Sequence, residues 1–144
     1  MSRHTGEDDI VIGGARGGFP RGPLRRAIAR VLAGERQTGS VTLTFLSRRA
    51  MAQLNQETFG HAGPTDVISF ALPQPDGSVI GDLYLCRFVA ARNALEHGCS
   101  LHEELRRLAI HGTLHVLGWD HPEGDDRTAS PMWAAQERYL QAAS

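Results

Sequence analysis

Lysine is absent from this 144-residue chain: all fifteen basic residues are arginine, the planar side chain that grips phosphate with two parallel hydrogen bonds. Cysteine is nearly absent. Cys86 and Cys99 stand thirteen positions apart and outside any CxxC pair, so they read as reduced packing residues of a cytosolic protein, not as a disulfide framework. No apolar run approaches membrane-spanning length. The polar residues 1–9 lack the apolar core of a signal peptide, so the expected compartment is the cytoplasm, with no membrane partner. Net charge is also missing: a formal value of −1 excludes a globally basic nucleic-acid binder and leaves a local basic groove open.

What is present describes a globular chain. The apolar fraction is 41% and the charged fraction 22%, enough for one domain over residues 1–144 with a sizeable core; residues 1–9 are expected to fray. Charge is uneven. Residues 1–72 carry nine arginines against six acids, and residues 73–144 carry six against ten.

Apolar periodicity places the elements. Residues 10–12 form a short strand, closed by Gly13 and Gly14. The loop over 14–22 has glycines too scattered for a phosphate-binding fingerprint. Pro23 opens a helix to about residue 33, with Leu24, Ala27, Ile28, Val31 and Leu32 on one face. Arg25, Arg26 and Arg30 lie on the other, a solvated face by preference over an RNA contact. Residues 41–45 alternate as a strand. Ser47 caps a helix over 48–57 that turns Ala50, Met51 and Leu54 inward. Strands over 66–72 and 78–85 are joined by the turn Pro73-Gln-Pro-Asp-Gly77. Asp82 interrupts the second of them, as an edge residue or a directed polar group. Helices follow over 87–97, from Ser100 (with Glu103 completing a capping box) through Leu117, and over 131–142. The expected fold is α+β: a small mixed sheet of about four strands, helices mainly on one face, and the metal-site helix central.

The chemistry concentrates in His111-Gly-Thr-Leu-His115-Val-Leu-Gly118-Trp-Asp-His121. Two histidines four apart share a helix face, and Gly118 offers a left-handed exit that returns His121 to the same point. Three neutral imidazoles make a nitrogen-rich site suited to one Zn²⁺, with the fourth position left to water, although other divalent ions accept the same donors. The spacing H-x3-H-x5-H matches the metzincin proteases, and Met132 lies downstream where those enzymes place a methionine turn. The match fails at Gly112, where the proteases carry the glutamate that serves as general base. Metal-assisted phosphodiester hydrolysis, with arginines on the phosphate, asks less of that position.

With Pro64-Thr-Asp-Val-Ile-Ser-Phe70 and Gly81-Asp-Leu-Tyr-Leu85, the histidine motif resembles the bacterial YbeY family over roughly residues 40–142. The resemblance implies a zinc-dependent, single-strand-specific endoribonuclease. Its implied work is 16S rRNA 3′-end maturation and ribosome quality control. The implied zinc ligands are His111, His115 and His121, and the implied partners are precursor 16S rRNA and the small ribosomal subunit or its assembly factors. The family usually has an arginine where this chain has Phe59, with Arg48 or Arg49 as possible substitutes. Two alternatives stand beside the nuclease: an assembly factor with a structural zinc, and a metal-dependent hydrolase of another substrate. No general base is assigned. Asp120 is a candidate to support a metal-bound imidazole or a plain turn residue; Asp82 a strand-end residue more than a cleft group; Glu137 a solvated helical glutamate more than one that reaches the site. Trp119 is expected to pack under the motif, His97 to sit at a helix C-terminus, and His4, His61 and His102 to lie on the surface.

Overall fold

The computed structural model describes residues 9–14, 21–120 and 130–142. His4, most of the N-terminal stretch expected to fray, residues 15–20 of the glycine-rich loop, and His121 lie outside the described residues. The elements run β1 (Asp9–Gly13), α1 (Arg21–Gly34), β2 (Gly39–Leu46), α2 (Arg48–Phe59), β3 (Val67–Pro73), β4 (Val79–Cys86), α3 (Arg87–His97), α4 (Leu101–Val116) and α5 (Pro131–Ala142). The strands form a mixed sheet in the order β1-β2-β4-β3. β2 lies parallel to both β1 and β4, and β3 returns antiparallel to β4 through the turn at residues 74–78.

Strand alternation divides the core. Val41, Leu43 and Phe45 of β2 and Leu83 and Leu85 of β4 bury one face against α1 and α4, as period-2 patterning requires. Residues of opposite parity, Leu46, Tyr84 and Cys86, meet Met51 of α2, Ile68 and Val89 at one end of the other face. The helices are thus mainly on one side. α4 is central: Leu105, Leu108 and Ala109 join the sheet cluster, while Ile110 and Leu114 join Ala27, Val31, Met132 and Ala135 of the flanking α1 and α5. Each such fully buried leucine or isoleucine contributes about 1.5–3 kcal/mol over an exposed one.

Local signals set the helix ends. The Ser47 hydroxyl accepts from the Ala50 amide at 3.1 Å, and Ser100 from Glu103 at 3.0 Å. The expected capping box at Ser100 gives way to an ion pair, because the Glu103 carboxylate takes Arg107 at 3.2 Å. α1 begins at Arg21, so Pro23 falls within its first turn, where a missing N–H costs little. Asp82 corrects its expectation. It is neither at an edge nor at a strand end but mid-strand in the interior β4, opposite Thr42 and Phe70. Sharing the parity of Ile80 and Tyr84, it faces away from the main core, half exposed, and keeps its water.

Two glycines let α4 reach the sheet. A Cβ on Gly112 would stand 2.9 Å from Leu83 Cδ2, and one on Gly81 2.7 Å from Val116 Cγ1. Position 112 therefore faces the sheet, and a side chain there would have to displace the Leu83 side chain. At the far end of α1 the chain turns through a Schellman motif: Gln37 N–H donates to Leu32 O at 2.9 Å and Arg36 N–H to Ala33 O at 3.1 Å. Arg36 holds the left-handed position at φ 56°, which usually falls to glycine.

Two substitutions test this packing. Gly112→Ala is expected to lower the unfolding free energy by about 1–3 kcal/mol, the cost of overpacking a filled core. Arg36→Gly is expected to raise it by about 0.5–1 kcal/mol by relieving the left-handed strain. Urea unfolding midpoints measure both.

Candidate metal centre

His111 and His115 lie one turn apart on α4, their ring centroids 4.6 Å apart and their planes at 82°. Each ring is held at Nδ1. The His115 Nδ1 lies 3.0 Å from the carbonyl oxygen of Trp119. A carbonyl only accepts, so that nitrogen carries the proton and the neutral ring keeps its lone pair on Nε2.

The Trp119 carbonyl is in place because α4 ends in a second Schellman motif. Trp119 N–H donates to Leu114 O and Gly118 N–H to His115 O, each at 3.0 Å. Gly118 takes φ 99°, the left-handed exit its sequence position suggested. Trp119 then packs against the cluster that contains Leu114, the apolar contact such a motif favours.

The His111 Nδ1 lies 2.6 Å from Oε1 of Gln136, a buried residue of α5. Which way that amide points is decided one step further out. Gln136 Nε2 donates at 3.0 Å to the Glu137 carboxylate, which cannot donate in return, so the oxygen end is turned to His111. His111 is thereby set in the same tautomer as His115. Glu137 is itself clamped by Arg107, whose Nε donates at 3.0 Å. Arg107 also donates to Glu104 at 2.9 Å, and Glu104 stands 3.4 Å from His97 Nδ1. Glu137 is thus no solvated helical glutamate, because α5 turns it onto the Arg107 face of α4.

Burial works against the Glu137 charge, but hydrogen bonds from Arg107 and Gln136 and the Arg107 charge outweigh it and hold the carboxyl below its usual value. Burial likewise opposes the Arg107 charge, and the Glu137 and Glu104 carboxylates more than reverse that and raise it. The Cys99 thiol beside them is pushed up, chiefly by burial.

The two histidines stand between two cavities. His111 lines a polar one of about 280 Å³ with Asp66, Asn93, His97, Glu104 and Arg107. His115 lines an open groove of about 350 Å³ with Phe59, Val67, Ser69 and Val116 along the edge strand β3. Phe59 is 53% exposed there. Arg48 lies 4.6 Å over the Phe88 ring of α3. Asp66 braces the start of β3, accepting from Val67 N–H at 2.7 Å and Asn93 Nδ2 at 3.1 Å. Asp120, His61 and His102 are exposed.

Among the described residues, no three or more His, Cys, Asp and Glu side chains gather as a metal cluster; His121 lies outside them. What the described pair provides is two adjacent imidazoles whose back nitrogens are both bonded to oxygen, the support that metal-ligating histidines characteristically have. That donor chemistry fits a borderline cation such as zinc. Gln136 and Arg107 are the residues around the histidine pair that sequence reasoning missed. Gln136 carries a faint signal: four residues after Met132 and four before Leu140, it shares their buried face of α5.

Comparisons with known proteins agree with one another. The family model described as Endoribonuclease YbeY matches residues 23–144. An endoribonuclease YbeY of Synechococcus is 42% identical over 108 residues, covering 70% of this chain and 64% of that protein. One of Mycobacterium tuberculosis is 39% identical over 112 residues, covering 70% of this chain and 62% of that protein. The chain therefore spans a little under two thirds of the length of these relatives. The solution structure of a Thermotoga maritima protein superposes with a TM-score of 0.65 at 28% identity, over 93% of this chain and 88% of that one. No helix among the described residues is long and apolar enough to cross a membrane.

Arg107→Ala is expected to destabilise the fold by about 3 kcal/mol at neutral pH, because it leaves the buried Glu104 and the half-buried Glu137 without their shared cation. Glu137 is depressed in the folded state, so its contribution is full above the ordinary glutamate value and lost as pH falls through the lowered one. The gap between Arg107→Ala and the parent protein should narrow across that acid window. Chemical unfolding at a series of pH values reads it directly.

Proposed function

The chain belongs to the YbeY endoribonuclease family, and we propose that it is a zinc-dependent endoribonuclease of single-stranded RNA. On this reading residues 1–144 work as one domain in the cytoplasm, and the substrate is precursor 16S rRNA, processed at its 3′ end and in ribosome quality control. The partners are the small ribosomal subunit or its assembly factors. The observation that carries the reading is the matched pair of Nδ1 clamps on His111 and His115 beside an open groove.

His111, His115 and His121 would hold the zinc ion. Bound there, zinc supplies Lewis-acid polarisation of a phosphodiester. The chain's own residues do the rest. Gln136 and the Trp119 carbonyl keep the Nδ1 protons in place, so both rings present the same nitrogen. The β3 edge with Ser69 and Val67 gives an extended strand a wall beside His115. Phe59, in the place of the family's arginine, offers that strand an aromatic face on which a base can stack and no charge for its phosphate. Gly112, packed on Leu83, supplies none of the carboxylate that a protease of this histidine spacing uses. Metal-dependent peptide hydrolysis is therefore disfavoured against phosphodiester cleavage.

Purified protein with zinc is expected to cleave a single-stranded RNA, to leave a duplex of the same sequence and casein intact, and to lose about 100-fold or more in rate in His115→Ala. Phe59→Arg is expected to raise the rate about tenfold by adding a phosphate donor. Zinc binding without cleavage would instead favour the assembly factor. Casein digestion would favour the protease-like hydrolase.

A further inference from the structure

We propose that Glu35 is the positioning residue of His115, acting across the fold through Trp119. One Glu35 carboxylate oxygen accepts the Trp119 indole N–H at 2.7 Å, and the other accepts the Tyr139 hydroxyl at 2.5 Å. Trp119 is thus held at both ends, its indole by Glu35 and its carbonyl by the His115 ring. The residue that orients one histidine is in turn oriented by a carboxylate 84 positions upstream.

The cost of placing Glu35 there argues that it does more than fill a surface. It caps the C-terminal end of α1, where the helix dipole disfavours a negative charge by about 0.3–1 kcal/mol. The turn that fixes it forces Arg36 into the left-handed region. Gly34 is required beside it, since a Cβ at that position would overlap the Tyr139 hydroxyl. Burial, and after it the hydrogen bond to Glu35, push Tyr139 up to about 12. A carboxylate is acceptor-only, so both donors must point inward at it. The Schellman motif at Gly118 engages only the Trp119 N–H, which leaves open the backbone rotation that aims the carbonyl, and the Glu35 contact holds the Trp119 side chain where that carbonyl meets His115.

The geometry stands on its own, while its consequence for zinc rests on the function proposed above. The test uses the full chain and four variants: Glu35→Ala, Glu35→Gln, Trp119→Phe and Tyr139→Phe. Long-range ¹H–¹⁵N NMR of the His115 ring, before and after zinc is added, reads the tautomer. Competition with a chromophoric chelator reads zinc affinity, and thermal unfolding is followed separately. Glu35→Ala and Trp119→Phe are expected to shift the zinc-free ring from the Nδ1–H form to a mixture and to weaken zinc by about tenfold. Glu35→Gln, whose amide oxygen still accepts the indole N–H, is expected to restore most of both. Tyr139→Phe is expected to lower the melting temperature and leave the ring and the affinity unchanged.

An unchanged His115 tautomer in Glu35→Ala and Trp119→Phe overturns the proposal. So does an equal effect of Tyr139→Phe, which would make the carboxylate a helix clamp only. Should Glu35→Ala fail to fold, the contrast between Trp119→Phe and Tyr139→Phe decides. A parent protein that binds no zinc would defeat the proposed function, while the tautomer comparison would still judge Glu35.

Discussion

An imidazole that gives one nitrogen to a cation must have its other nitrogen held, and the helix bearing the ring cannot hold it. α4 aligns His111 and His115, but its own backbone groups are committed to the helix. The oxygens that fix the two Nδ1 protons come from elsewhere: Gln136 of α5 for one ring, and the Trp119 carbonyl beyond the helix end for the other. The rest of the architecture follows from bringing those two oxygens to one turn of α4. α5 has to pack along α4, and the chain leaving α4 has to double back through a left-handed glycine.

That requirement divides the surroundings of α4 in character. Toward the sheet it is apolar and close, with Gly81 and Gly112 removing the atoms that would keep helix and strand apart. Toward α3 and α5 it carries a partly buried ionic seam in which Arg107 answers Glu104 and Glu137. Such a seam contributes little net stability compared with an apolar one. Its value is directional, because the Glu137 carboxylate decides which end of the Gln136 amide His111 meets. At the other ring the same logic runs through Trp119 to the end of α1.

Much of this was legible in the order of residues. The β2 alternation, the α1 apolar face, the caps at Ser47 and Ser100 and the left-handed exit at Gly118 are local effects, and they appear where local chemistry puts them. The two histidines of α4 were legible for the same reason, since a spacing of four is a property of the helix alone. What was not legible lies at long range. Nothing near Glu35 announces Trp119 or Tyr139, and nothing near Arg107 announces Glu137 thirty residues on. Asp82 was misjudged because a lone acid in an apolar strand suggests an edge, whereas the strand order makes β4 interior with one face open. Gly112 showed as a missing carboxylate, and only the packing shows that it also lets the helix close on Leu83.

The central claim is that the histidines of this motif share one zinc ion and leave it an open position. X-ray absorption at the zinc edge of the loaded protein tests it most directly. The account predicts three imidazole nitrogens and one further light atom at about 2.0–2.1 Å, the latter exchangeable with a small anion. A sulfur near about 2.3 Å, a fourth protein ligand closing the shell, or fewer than three imidazoles would contradict it.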